Sequence, residues 1–182
     1  MRRHARTIVI AVAAIALSTT IASCGSDDES AGGPGCSLVD DATASKALGA
    51  ESVDSADESK DLGGAASNIL SCRYTSDGEG PALVVTASQA SSAAKAESDL
   101  TSTQATCADA QPLDLSDVEG FVCSTGDLGG GPQANATWDG FVVHAAFTTT
   151  RSTDQSDPGS SLASVIKDAH ERLTRESFDV TE

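Results

Sequence analysis

Ala134-Asn135-Ala136-Thr137-Trp138-Asp139-Gly140-Phe141-Val142-Val143-His144-Ala145-Ala146-Phe147-Thr148-Thr149 reads as two strands and the turn between them. Asp-Gly between apolar runs is the strongest local signal in the chain. Both central residues of a type I′ turn need positive φ, which Asp tolerates and Gly prefers. The strands are therefore expected at Ala134–Trp138 and Phe141–Thr149. In the second, Phe141, Val143, Ala145 and Phe147 alternate with Val142, His144, Ala146 and Thr148, so the first set should face a core and His144 should face outward.

Upstream, Ile69 to Thr75 and Ala82 to Ala87 read as a second antiparallel pair, joined through Ser76-Asp77-Gly78-Glu79-Gly80-Pro81. Gly120-Phe121-Val122-Cys123 reads as a short buried strand, followed by a Gly-rich loop at Gly126 to Pro132. Ser91 to Thr103, rich in Ala, reads as a surface helix with a thin apolar face. Asp157-Pro158 opens a last helix, with Asp as N-cap and Pro at the first helical position. Its face is Leu162, Val165, Ile166, Ala169 and Leu173, and Arg172 and Arg175 suit its C-terminal dipole. A first helix follows Asp40 and should stop at a left-handed Gly49. Its stripe is Ala44, Ala47 and Leu48, with Val39 and Ala44 placed as a weak staple. Residues Glu51 to Gly64 are polar and read as a loop. Because successive strands join by hairpins, the expected class is α+β: an antiparallel sheet packed by helices.

The N-terminus says where such a domain works. Arg2, Arg3 and Arg6 precede the apolar run Ile8–Leu17, which is too short to span a bilayer. Ile21-Ala22-Ser23-Cys24 then reads as a lipoprotein cleavage site. Cys24 would carry a thioether-linked diacylglycerol and, on its freed amine, an acyl chain such as palmitate. More than one chain is needed for stable anchoring. Residues 1–23 are the expected signal peptide, and the export route, Sec or twin-arginine, stays open. Residues 24–35 are the expected flexible tether, 36–176 the extracytoplasmic domain and 177–182 a frayed tail.

Cleavage removes three arginines and no acid. The processed 159 residues carry 8 basic against 27 acidic side chains, a net charge of −19. That charge argues against nucleic-acid binding and suits a soluble domain held off an anionic membrane. Four cysteines remain: Cys36, Cys72, Cys107 and Cys123. An even count in an exported chain implies two disulfides. Of three connectivities, the sequential one, Cys36–Cys72 and Cys107–Cys123, staples each half of the domain separately and is favoured. No Cys-x-x-Cys supports a redox or zinc site.

Catalytic motifs are absent. There is no Gly-x-Ser-x-Gly elbow, and the processed chain has two histidines, His144 and His170. Asp57-x-Ser59-x-Asp61 starts like a calcium loop, but Leu62 and Asn68 stand where Gly and Glu are required. Gly129-Gly130-Gly131-Pro132 is followed by no Lys-Ser/Thr and opens no helix. Trp138 is expected to pack at the hairpin. No catalytic residue, metal or cofactor is expected.

Cys36-Ser37-Leu38-Val39, a capped helix ending Leu48-Gly49, Cys72-Arg73-Tyr74 in a strand, and Val118-Glu119-Gly120 before another resemble a family of actinobacterial lipoproteins. These share a domain of unknown function, DUF3558. The resemblance spans most of Cys36 to Leu173. It implies an envelope location, supports the Cys36–Cys72 bridge and brings no catalytic residues. The expected function is a lipid-anchored, non-enzymatic envelope domain that binds a protein partner or small ligand. The alternative is a lipid or lipoglycan carrier, which needs an apolar cavity.

Overall fold

The computed structural model describes residues 33–60, 69–76, 81–107, 109–124, 131–148 and 157–175. The expected signal peptide, Cys24, the tether up to residue 32, Asp61, the glycines at 129 and 130 and the tail from 177 on lie outside these residues.

The architecture is α+β. Among the described residues, seven strands form one antiparallel sheet: β1 (Asp54–Asp57), β2 (Leu70–Thr75), β3 (Ala82–Gln89), β4 (Gln111–Pro112), β5 (Glu119–Cys123), β6 (Gln133–Trp138) and β7 (Phe141–Phe147). Their spatial order is β1-β2-β3-β7-β6-β5-β4. The β6–β7 turn has φ 48° at Asp139 and 84° at Gly140, as the Asp-Gly pair requires. Trp138 pairs with Phe141 across it. The two hairpins meet where β3 pairs with β7, with Val85 opposite Ala145.

Among the described residues, three α-helices pack on the sheet: α1 (Asp41–Leu48), α2 (Ala93–Thr106) and α3 (Pro158–Arg175). Each begins at a residue that supplies its missing acceptor. Asp40 accepts from the Thr43 amide, Ser92 from the Lys95 amide at 3.2 Å and Asp157 from the Ser160 amide at 3.2 Å. Gly49 closes α1 at φ 67°, a conformation that a Cβ would disfavour. On one face, α3 lies over β6 and β7 and against α1. Leu162, Val165 and Ile166 are fully buried there over Ala134, Ala136 and Ala145. The alanines leave room for the branched side chains of the helix. Each such side chain contributes about 2 kcal/mol by leaving water.

Both disulfides join the expected partners. Cys36 and Cys72 have Cα atoms 4.8 Å apart, and Cys107 and Cys123 are 5.9 Å apart. By loop-closure entropy they stabilise the fold by about 4 and about 3 kcal/mol.

Pro34 and Gly35, read as the end of the tether, belong to a 3₁₀ turn, Pro34–Leu38. Gly35 is buried there; a Cβ would stand 2.3 Å from the Ser71 carbonyl oxygen. The stretch read as a loop contains β1, an edge strand paired with β2 from Asp54–Thr75 to Asp57–Cys72. β4 was not expected. His144 is not exposed, because α2 covers β6 and β7 on the face it occupies.

Candidate functional site

At the β4–β5 end of the sheet, where α3 begins, lies an open groove of about 590 Å³. Four separate segments build it. Its apolar floor and walls come from Pro112, Leu113, Val122, Pro132, Pro158 and Ala163. Leu113 reaches it because its amide donates to the Gly120 carbonyl, extending the β4–β5 ladder by one residue. Gly120 is obligatory in that ladder, since a Cβ would stand 2.6 Å from Leu113 Cδ1 and from the Asn135 carbonyl oxygen. Val122 points into the groove because the alternate residues Phe121 and Cys123 turn to the opposite face, where they pack with Leu100 of α2.

Among the described residues the charged lining is acidic: Asp109, Asp114 and Asp157 line the groove together with Gln111, Ser124 and Ser160, and no described Lys or Arg does. Asp157 is committed to the start of α3. The hydroxyl and the amide of Ser160 both donate to its carboxylate and hold its pKa below the ordinary carboxylate value. Asp109 and Asp114 are exposed. Among the described residues neither has a cationic partner. The groove thus offers apolar contact surface and two free carboxylates. Its Ser160–Asp157 hydroxyl–carboxylate contact serves the start of α3.

The candidate residues named from sequence go elsewhere. His144 sits on the α2 face of the sheet, in a cross-strand row with Thr86 and Asn135. Its Nε2 lies 3.2 Å from Gln133 Oε1. Burial pushes its pKa below the usual imidazole value. Asn135 Nδ2 beside it is buried and has no hydrogen-bond partner among the described residues. His170 is on the other side of the sheet, edge-on to Trp138 with ring centroids 4.9 Å apart. The two histidines are therefore not brought together, and Trp138 is buried as hairpin packing.

Asp57 and Ser59 serve as fasteners. Asp57 accepts from the Gly35 amide at 2.8 Å and from the Ser59 amide at 2.7 Å, and Ser59 Oγ accepts from the Ser71 amide at 3.0 Å. They tie the N-terminal turn to the β1–β2 edge. Arg172 similarly bridges Asp40 and Asp168, each at 3.0 Å, and locks α1 to α3. Among the described residues, no group of three or more His, Cys, Asp or Glu is arranged to hold a metal ion.

The groove was missed in the sequence because it has no motif. Its residues are spread from 109 to 163, and only the β4–β5 register and the start of α3 bring them together. No helix among the described residues is long and apolar enough to cross a membrane. No family model, no curated protein and no solved structure matches the chain.

Proposed function

We propose that this chain is a lipid-anchored envelope domain, held outside the cell by Cys24, that acts by binding a partner rather than by catalysis. The observation that carries the reading is the open groove beside α3 on a doubly cross-linked domain. Drug-sized ligands have most of their surface enclosed by their pockets. An open trough suits a partner that covers it from outside. The motif likeness to actinobacterial lipoproteins and the Ile-Ala-Ser-Cys24 signal support the location. A lipid carrier needs an enclosed apolar chamber. The described core is filled by Tyr74, Phe147, Leu83 and Ile166, and the groove has carboxylates on its rim, so the carrier reading gains no support.

The test uses the full chain in a host that processes lipoproteins. A photo-crosslinking amino acid at Ser124 or Ser160 in the groove should give a discrete adduct. The same group at Thr101 on α2 should not. Equal adducts from both places, or none from the groove, would remove the binding role. Cys24→Ala should move the protein from the membrane fraction to unprocessed or released forms.

A further inference from the structure

We propose that the partner enters the groove as an extended peptide segment bearing lysine or arginine. This deepens the binding role proposed above and rests on it. The groove pairs an apolar floor, made by Leu113, Val122 and Ala163, with two exposed carboxylates, Asp109 and Asp114. Long basic side chains match this combination, because their methylene stems cover apolar surface while their charged ends stay in water beside a carboxylate. An acidic segment would meet the same carboxylates across a surface of net charge −19 and would be repelled. Openness selects a peptide over a compact cation. A trough contacts one side of an extended chain and leaves its other side free, which a tethered partner tolerates.

Two rim carboxylates are worth about a tenfold change in affinity together, given the usual strength of exposed ion pairs. The experiment uses the mature chain in detergent and three labelled peptides of alternating sequence: Leu-Lys, Leu-Gln and Leu-Glu. Fluorescence anisotropy measures binding, and amide chemical shifts locate it. The Leu-Lys peptide should bind tightest and shift Leu113, Val122 and Ala163. Asp109→Asn with Asp114→Asn should weaken it about tenfold. Glu51→Gln with Asp54→Asn, an equal change of charge near the opposite edge of the sheet, should leave binding within about twofold, since exposed charges beyond a Debye length are screened.

If both pairs of substitutions weaken binding alike, the attraction belongs to the whole charged surface and the site assignment is overturned. If the Leu-Gln peptide binds the groove as tightly as Leu-Lys, the cationic class falls while the groove stands. If no peptide shifts the groove amides, the cationic-peptide proposal falls. The crosslinking at Ser124 and Ser160 then decides separately whether the groove binds a partner at all.

Discussion

Tyr74 shows how a single hydroxyl can hold two distant parts of the chain. It is fully buried, and its Oη donates to the Val39 carbonyl at 2.7 Å and lies 3.2 Å from the Cys36 carbonyl. These acceptors are 35 and 38 residues away in the chain. Burial also pushes the phenol pKa well above its ordinary value. Tyr74→Phe keeps the ring and leaves the carbonyls without their donor. The expected cost is about 1–2 kcal/mol, or a fall of about 3–6 °C in Tm. Thermal and urea unfolding of the two proteins would check it; a change under about 0.3 kcal/mol, within the ordinary scatter of surface substitutions, would show that water replaces the bond. Asp40, Gly49, Asp139-Gly140 and Asp157 were legible in the sequence because each acts on backbone within four residues. Tyr74 was legible only as a strand residue, and the burial of His144 not at all. Both depend on elements that arrive from far along the chain.

Elements followed the same division between local and distant causes. The β6–β7 hairpin, α1 and α3 carry their own periodicity and punctuation. β1 does not: Asp54-Ser55-Ala56-Asp57 has no β-branched or aromatic residue and is a strand only because β2 offers it an edge. Its acids also discourage a further strand from joining that edge. β4 has two residues, one of them Pro112, and carries no pattern to read. The helices differ in how firmly they are held. α3 buries Leu162, Val165, Ile166, Ala169 and Leu173, whereas α2 buries only Ala96 and Leu100. Local opening should therefore cost much less at α2, and native-state hydrogen exchange should be at least ~100-fold faster there than in the middle of α3. The Cys107–Cys123 bridge pins the end of α2 to β5. Replacing both cysteines by serine should speed exchange in α2 further and leave the ratio among β3, β7 and α3 unchanged. Equal protection in α2 and α3 would mean that the second face is packed more strongly than Leu100, Phe121 and Cys123 imply.

For the whole molecule, acidification separates two kinds of titration. His144 has a folded pKa below its unfolded value of 6.5 because burial disfavours the imidazolium. Between those two values the unfolded chain binds more protons, so stability rises with pH and is lost as pH falls below about 6.5. One such group changes stability by at most about 1.4 kcal/mol per pH unit. Asp40 and Asp57 titrate later. For each, burial works toward a higher pKa but is outweighed, at Asp40 by hydrogen bonds from Thr43 and the charge of Arg172, and at Asp57 by hydrogen bonds from Ser59 and Gly35. Both folded values lie below the unfolded 3.8, so their stabilisation is present above that pH and disappears beneath it. Chemical denaturation from pH 7 to 3 should thus show an early loss beginning near pH 6.5 and a separate one below about pH 4. His144→Gln should abolish the first and spare the second. The repulsion among 27 acidic side chains eases as they protonate, which makes the second loss shallower. At about 0.5 M salt that repulsion is already screened, so the second loss should steepen, while the first, caused by burial rather than by distant charge, should stay where it is. Absence of the early loss in the parent protein would show that the sheet face beneath α2 is open to water and that the burial of His144 has no effect on its titration, whereas an early loss that survives in His144→Gln, or that salt removes, would assign it to another group.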